Sequence, residues 1–413
     1  MENPKIRFKG FTKDWEQRKL GDMGSTYTGL SGRTKEDFGH GDAKFITYMN
    51  VFSNPVANLD MTESVEIDSK QNCVKAGDVF FTTSSETPEE VGMSCVMPEN
   101  ADNIYLNSFC FGYRPTEKFD LNYLAYVLRA ESFRKEMTFL AQGISRYNIS
   151  KNKVMEVEIS IPSLDEQSRV GQYFSDLDHL ITLHQRKCEQ TKKLKKYMLQ
   201  KMFPQNGAKV PEIRFNGFTH DWEQRKLGDL VDRVTRKNQD LVSELPLTIS
   251  AQYGLIDQNE FFDKRVASKD VSGYYLIENG EFAYNKSTST DAPWGAIKRL
   301  DRYENGVLST LYIVFGIKEN NPVDSDFLVS YYSTNLWHKG IHEIAAEGAR
   351  NHGLLNIAPA DFFQTRLMIP QDIEEQKKIG KYFIELEALI TLHQRQCDEL
   401  KKMKKYMLQN MFI

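Results

Sequence analysis

The feature that most constrains this chain is an internal repeat, in which two separate blocks of sequence each occur twice. Residues 4–22 (PKIRFKGFTKDWEQRKLGD) and residues 211–229 (PEIRFNGFTHDWEQRKLGD) differ at only three positions. Residues 166–203 and 375–412 share the core LITLHQR and the ending KKYMLQ-x-MF. Both pairs are offset by roughly 200 residues, so the chain is a tandem duplication of one unit.

Between the repeated blocks the two copies diverge. Residues from about 25 to 155 (insert 1) and from about 232 to 365 (insert 2) show only scattered similarity, clearest between residues 141–149 and 346–357. Apolar runs bounded by Gly, Asn, Asp and Pro predict strands, and longer periodic runs predict helices. The predicted strands are residues 43–51, 78–83, 282–284 and 311–315, and the predicted helices are residues 122–139 and 325–346. The inserts are therefore predicted to be mixed α/β (α+β) domains.

Each C-terminal repeated block predicts one amphipathic helix of about 40 residues, about 60 Å long. Ser163 with Glu166, and Asp372 with Glu375, have the spacing of capping boxes at the helix starts. A stripe of apolar residues is predicted to pack against partner helices, and its members include Val170, Phe174, Leu177, Leu180, Ile181, Ile379, Phe383, Leu386, Leu389 and Ile390. Two equivalent helices in one chain can pair antiparallel, with the inserts related by a pseudo-twofold axis.

Composition excludes several classes of protein. The 413 residues are 40% hydrophobic and 27% charged, as in ordinary globular proteins, and a net charge of −4 excludes a strongly basic DNA-binding chain. Five cysteines without regular spacing favour reduced thiols in a cytoplasm, and Cys188 and Cys397 are predicted to be buried because they fall on the apolar stripe. The sequence contains neither a secretory signal nor a membrane-spanning run, so we expect no membrane partner.

Motifs of a catalytic chain are missing from the sequence. The strings NPV at residues 54–56 and 321–323 lack the second proline and the aromatic residue of a DNA amino-methyltransferase motif. A phosphate-binding GxxxxGK[ST] loop is also absent. His338 and His342 have a spacing that can hold a metal, but Lys339 follows the first histidine where a zinc protease has glutamate, so ordinary surface histidines are favoured.

The order of parts resembles the specificity subunits of type I restriction–modification systems, over essentially the whole chain. The motifs that carry the resemblance are DWEQRKLGD at Asp14 and Asp221, GDVFFTTS at Gly77, GEFAYNKS at Gly280, and the entries to the long helices at Ile161 and Ile369.

This resemblance implies that residues 1–160 and 207–368 are target recognition domains and that residues 161–206 and 369–413 are spacer helices. Each domain would recognise one half of a bipartite double-stranded DNA target. The paired helices would fix the spacer and dock two methyltransferase subunits, and a restriction/translocase subunit would complete the complex. S-adenosylmethionine, ATP and Mg²⁺ would belong to those partners, while this chain would be non-catalytic and would hold no cofactor or metal.

Loops with hydrogen-bonding side chains are the candidates for base recognition. The candidate DNA-binding residues are Arg33, Lys35, Thr83, Ser84, Ser145, Arg146, Asn148, Asn285, Lys286, Ser287, Arg350 and Asn351. Glycine-led loops at Gly143 and Gly348 end both inserts at equivalent points, which favours a shared role, although a helix C-cap and turn would leave the same pattern. Trp15 and Trp222, in the repeated DWEQRKLGD motif, are predicted to be packing residues.

Basic residues cluster in the second half of each long helix. They could contact the phosphates of spacer DNA, pair with an acidic partner, or form an ordinary solvated face. The residues concerned are Arg186, Lys187, Lys192, Lys193, Lys195, Lys196, Lys201, Arg395, Lys401, Lys402, Lys404 and Lys405.

Two functions of other classes remain open on the sequence alone. The chain could be a single-chain nuclease or methyltransferase whose active site lies unrecognised in the inserts, or a scaffold that binds only protein.

Overall fold

The structure, a computed structural model, divides into two compact units. Unit 1 comprises Met1–Arg186 with Gln394–Ile413, and unit 2 comprises Lys187–His393. The described residues are 3–205, 207–250, 253–290, 292–319, 323–345 and 354–413. Each unit thus combines one insert with the first half of one long helix and the second half of the other. The domain ranges inferred from the resemblance stay predictions.

The two long helices are Leu164–Lys201 and Ile373–Asn410, each 38 residues long. In unit 1 the start of the first helix lies against the end of the second. The rings of Phe174 and Phe412 are 5.5 Å apart between centroids, and the Lys404 Nζ lies 2.6 Å from the Asp178 Oδ1. A step back along the first helix is a step forward along the second, so the two segments are antiparallel.

Unit 2 repeats this pairing with the other two helix halves. Phe203 lies 5.9 Å from Phe383 between ring centroids, and Lys195 forms an ion pair with Glu387. These contacts confirm the predicted antiparallel pairing of the long helices within each unit.

Most of the predicted apolar stripe is buried between the helices and the inserts. Two members differ: Leu180 is 39% exposed and Leu389 is 45% exposed, at equivalent positions of the two helices. Cys188 and Cys397 are 2% exposed each, which confirms their prediction as buried residues. Among the described residues, no helix is both long enough and apolar enough to cross a membrane.

The long helices begin where the sequence predicts, but the glutamates of the predicted capping boxes have other partners. Both carboxylate oxygens of Glu166 accept from Arg7, at 2.6 and 2.8 Å, and those of Glu375 accept from Arg214, at 2.7 and 2.8 Å. The two glutamates are 1% exposed. A bidentate arginine contact is stronger than a bond to one backbone N–H, which explains why the capping-box prediction is wrong for these side chains.

The repeated DWEQRKLGD motif forms structure, as predicted. Glu16–Lys19 pairs antiparallel with Glu158–Ile161, and Glu223–Lys226 pairs antiparallel with Arg366–Ile369. The preceding tryptophans are 4% and 2% exposed, and Trp222 meets Phe203 edge-on at 5.9 Å between ring centroids. The motif therefore joins the start of each repeat to the strand that precedes a long helix.

Each insert contains a four-stranded antiparallel sheet with the same strand order. In unit 1 the order is Gly24–Thr28, Cys110–Pro115, Val79–Thr82 and Ser94–Val96. In unit 2 it is Val231–Val234, Ile313–Ile317, Phe282–Asn285 and Ala296–Arg299. Val79 lies opposite Tyr113, and Phe282 opposite Phe315, which makes these residue pairs equivalent between units.

Shorter elements surround these sheets. The remaining strands are Phe38–Ile46, Thr62–Val65, Ser84–Ser85, Ile104–Leu106 and Tyr147–Asn148 in unit 1, and Leu247–Ser250, Gly254–Asp257, Tyr275–Glu278 and Asn305–Leu308 in unit 2. The short α-helices are Tyr48–Ser53, Leu121–Val127, Glu131–Leu140, Lys151–Val154, Leu227–Leu230, Gln258–Phe262, Ser325–Tyr331, Leu336–Ile344 and Pro359–Phe362. Single 3₁₀ turns are Leu20–Asp22, Lys35–Asp37 and Pro88–Glu90.

Four predictions for the inserts are wrong in extent, two for strands and two for helices. The strand predicted at residues 43–51 ends at Ile46, and a helix follows because the Thr47 side chain caps it by accepting from the Asn50 N–H. The strand predicted at residues 311–315 begins only at Ile313. The helices predicted at residues 122–139 and 325–346 are each two helices in the described residues, which exclude residue 346. The sequence does not reveal the break because both pieces bury apolar residues in one core.

The buried Arg7–Glu166 pair provides a stability test. Arg7→Met should lower the free energy of unfolding of unit 1 by about 2 kcal/mol, because it leaves the buried carboxylate unpaired. Urea denaturation measures the change. Arg18→Met is the matched control and should change stability little, since the Arg18 and Glu117 side chains are 29% and 42% exposed. Equal losses for the two variants would contradict the structural role of the buried pair.

Candidate nucleic-acid interface

In unit 1, two candidate segments far apart in sequence lie side by side. Strand Val79–Thr82 continues into Thr83, whose carbonyl oxygen accepts from the Ile149 N–H at 3.0 Å. Ser84 and Ser85 then pair antiparallel with Asn148 and Tyr147. Residues 83–85 and 145–149, here called the paired loops of unit 1, are thus one surface feature, although the sequence gives no sign that they meet.

The paired loops of unit 1 present hydrogen-bonding groups to solvent. Ser145, Arg146 and Asn148 are exposed. The Arg146 Nε donates to the Ser84 Oγ at 3.3 Å, which links the two loops while the guanidinium keeps further donors available. The Thr83 side chain already has a partner within the protein, since its Oγ1 donates to the Phe109 carbonyl at 2.8 Å. Arg and Asn side chains in this setting can bond to the edges of guanine and adenine.

Unit 2 builds the same feature from different residues. The Leu355 N–H donates to the Lys286 carbonyl at 3.0 Å, and Ser287 forms an antiparallel bridge with Leu354. Residues 285–287 and 354–355 are here called the paired loops of unit 2. Burial lowers the pKa of Lys286, while Ser287 is exposed. The other two candidates, Arg350 and Asn351, lie outside the described residues.

The Asn285 side chain is held in place within the paired loops of unit 2. Its Nδ2 donates to the Tyr312 Oη at 3.3 Å, and its Oδ1 accepts from the Ser287 N–H at 3.0 Å. The side chain therefore has a fixed orientation at the end of strand Phe282–Asn285.

A buried arginine that sequence reasoning missed supports the paired loops of unit 1. Arg129 donates to the carbonyl oxygens of Val51, Phe52, Asn54 and Ser94, at 2.7 to 3.1 Å, and burial lowers its pKa to about 10. These bonds hold helix Tyr48–Ser53, and the Tyr48 hydroxyl in turn donates to the Ser84 carbonyl at 2.8 Å. Nothing in one sequence distinguishes this arginine from a surface one.

The acidic residues of the motifs GDVFFTTS and GEFAYNKS, Asp78 and Glu281, have structural roles. Asp78 accepts from Arg114 at 2.6 and 2.7 Å, from the Tyr27 hydroxyl at 2.7 Å, and from the Lys75 N–H. Burial and the neighbouring Asp78 raise the pKa of Tyr27. In unit 2, Glu281 accepts from Arg236 and from the backbone N–H three residues earlier. Both carboxylates therefore fix the turn before the strand that leads to the paired loops.

The candidates near the start of insert 1 have a different setting. Arg33 forms ion pairs with Asp37 at 3.4 Å and Asp68 at 3.0 Å, and its side chain is only 15% exposed. Lys35 is exposed in the 3₁₀ turn Lys35–Asp37. Arg33 is thus held by two carboxylates, which compete with any base or phosphate for the guanidinium.

Part of the basic cluster on the long helices is neutralised within the chain. Lys192 contacts Glu189 at 3.4 Å, and Arg395 contacts Glu399 at 2.8 Å. Lys195 and Lys201 also form ion pairs, with Glu387 and Glu212. Lys193 and Lys196 are exposed on the same helix half. Across the described residues, no group of three or more His, Cys, Asp or Glu side chains has metal-binding geometry.

Gly143 permits a tight turn just before residues 145–149 of the paired loops of unit 1. Its φ is +148°, and a Cβ there would lie 2.0 Å from the Arg146 carbonyl oxygen. Gly143→Ala should therefore distort residues 145–149, weaken their pairing with residues 83–85, and speed amide exchange of Ile149, whose N–H donates to the Thr83 carbonyl. Gly39→Ala is the control, because Gly39 also has a positive φ, +86°, but open space around it. Unchanged exchange at Ile149 in the Gly143 variant would contradict the loop pairing.

Comparison with known proteins finds a matching family model and two similar proteins. Residues 12–193 match the model of the type I restriction modification DNA specificity domain. The chain is 23% identical, over 95% of its length and 91% of the relative, to a putative type I restriction enzyme MjaX specificity subunit of Methanocaldococcus jannaschii. It is 31% identical over 84 residues, 20% of each chain, to the MjaVIII specificity subunit of the same organism.

A solved structure shares the fold across the whole chain. The crystal structure of a type I restriction–modification system S subunit from M. genitalium superposes with a TM-score of 0.62 at 13% identity, covering 100% of this chain and 99% of that one. Residues 12–193 thus match the DNA specificity domain of type I restriction–modification systems, and nearly the whole chain is similar to a putative specificity subunit of such a system.

Proposed function

We propose that this chain recognises DNA for a type I restriction–modification complex and performs no catalysis itself. The observation that carries the proposal is the recurrence of the paired loops. Two inserts of different sequence place hydrogen-bonding residues on the same loop pair, at the end of the same strand of the same sheet. A shared location with different side chains is what two modules need if each recognises its own short base sequence.

Each unit would contact one half of a bipartite target. Arg146 and Asn148 in unit 1, and Asn285, Lys286 and Ser287 in unit 2, supply donors and acceptors for base edges in the major groove. The paired long helices, which belong to the repeated blocks, would set the number of base pairs between the half-sites. Exposed Lys193 and Lys196 would add contacts to phosphates, which orient the protein without reading sequence.

Catalysis would belong to the partners. Two methyltransferase subunits would supply S-adenosylmethionine, and a restriction/translocase subunit would supply ATP and Mg²⁺ chemistry, in the cytoplasm where chromosomal DNA is accessible. A single-chain nuclease or methyltransferase is the rival function. Purified chain incubated with DNA, Mg²⁺ and S-adenosylmethionine distinguishes them, since any turnover would support the rival.

An apolar face of the long helices is suited to dock the methyltransferase subunits. Leu180 and Met403 in unit 1 are 39% and 48% exposed, and Leu389 and Leu194 in unit 2 are 45% and 45% exposed. Leu180 and Leu194 are two heptads apart on the first long helix, and Leu389 and Met403 are two heptads apart on the second, so each pair shares a helix face. The Asp178–Lys404 contact sets Leu180 and Met403 at the same level of the helix pair. Each unit thus offers one apolar patch, matching two copies of one partner.

Base recognition by separate units predicts separable defects. Arg146→Ala should reduce discrimination at a base pair of one half-site by about tenfold, the effect of losing a good side-chain–base contact. Lys286→Ala should act on the other half-site alone. Competition binding with the assembled methyltransferase, using DNA that varies one base pair at a time, measures both. The untouched half-site is the internal control, and a variant that relaxed both half-sites would contradict the assignment.

Docking through the apolar face predicts a loss of assembly. Leu180→Glu combined with Leu389→Glu should abolish binding of the methyltransferase subunits, because it puts a charge into both patches. Mass measurement of the co-expressed subunits gives the stoichiometry. Phe139→Glu is the matched control, since Phe139 is 85% exposed on helix Glu131–Leu140 and should leave assembly intact. Normal assembly of the double variant would exclude this face.

A further inference from the structure

Each unit exposes one large apolar side chain at the same point of its sheet. Phe109 lies four residues before Tyr113, and Leu311 lies four residues before Phe315. Tyr113 and Phe315 are equivalent, because each lies opposite the first residue of the strand that leads to the paired loops. Phe109 is 57% exposed and Leu311 is 56% exposed. The inserts share little sequence here, NSFC against STLY, yet the apolar residue keeps its place.

The turns that hold these residues are built alike. The Phe109 N–H donates to the Asn107 Oδ1 at 2.8 Å, and the Leu311 N–H donates to the Ser309 Oγ at 3.4 Å. In each turn the next backbone N–H donates to the carbonyl of that same Asn or Ser, at 3.1 and 3.0 Å. A short polar side chain two residues earlier therefore fixes both turns. The exposed position of Phe109 and Leu311 is a property of an ordered turn.

Both turns adjoin the candidate base-reading groups. The Thr83 N–H and Oγ1 donate to the Phe109 carbonyl, at 3.0 and 2.8 Å. In unit 2, the residue after Leu311 accepts from the Asn285 side chain through its hydroxyl. Single exposed apolar residues are common on protein surfaces and usually need no explanation. Two at equivalent turns of divergent domains, each beside hydrogen-bonding loops, point to a common ligand with an apolar group.

We propose that Phe109 and Leu311 each contact the C5-methyl group of a thymine, one in each half-site. This inference rests on the proposed DNA recognition. Base edges in the major groove are donors and acceptors, and the thymine methyl is the apolar feature among them. An apolar tip beside polar loops is complementary to an A·T pair next to the base pairs that the loops contact. Phe109 and Leu311 are thus specificity-determining residues that hydrogen-bonding arguments overlook.

Replacing thymine by deoxyuridine removes only the methyl group and so tests the contact directly. With the assembled complex and its mapped target, one thymine of each half-site should lose about fourfold in affinity as deoxyuridine, the value of burying one methyl group. In the Phe109→Ala complex the loss should vanish at one half-site and persist at the other, and Leu311→Ala should do the reverse. Phe139→Ala, at an exposed site elsewhere in unit 1, should leave both losses in place.

Several results would overturn the inference. Equal weakening of thymine and deoxyuridine DNA by Phe109→Ala would indicate insertion between bases, and no sensitivity of the wild-type complex to deoxyuridine would exclude a methyl contact. No effect of either alanine variant on affinity would exclude any contact. A wild-type complex with no preferred sequence would instead refute the proposed function, and this is established before any variant is made.

Discussion

The packing of two half-helices against each other in each unit is the interaction on which both inserts depend. Met411 and Phe412, at the end of the second long helix, belong to one buried core with Trp15 of the first repeated block and Tyr123 of insert 1. Met202 and Phe203 occupy the same position in the core of unit 2. Each insert therefore completes its core with residues from the helix of the other repeat.

This arrangement explains why the repeated blocks stayed nearly identical while the inserts diverged. The repeated blocks provide the Arg–Glu pairs at the helix starts and the buried tryptophans. They also provide the strand at the start of each repeat, which pairs with the strand that precedes a long helix. These contacts recur residue for residue, so a change in one copy would lose a partner. Outside the four-stranded sheet, the surface residues of each insert are not held by such recurring contacts. Asp78 with Arg114, and Glu281 with Arg236, show a similar sheet-entry turn in both units, with its arginine taken from strand Cys110–Pro115 in unit 1 and from the segment after strand Val231–Val234 in unit 2.

The sequence was sufficient to predict the duplication, the long helices, their burial and the family. Periodicity carries that information, because a stripe repeated over 38 residues is hard to mistake. The sequence could not predict contacts between segments that are far apart along the chain. The pairing of Ser84 with Asn148, the carbonyls that Arg129 binds, and the exchange of a capping box for the Arg7–Glu166 pair depend on tertiary packing. The breaks in the helices of both inserts were missed for the same reason, since apolar spacing continues across them.

Exchange of one insert tests the central claim most directly. Residues 25–155 would be replaced by the corresponding insert of another family member, and methylated positions would be mapped across the genome of cells that carry the chimaera and its partners. The account predicts that one half of the modified motif changes while the other half and the spacing between them stay the same. A change in both halves, or in the spacing alone, would contradict the assignment of one half-site to each unit.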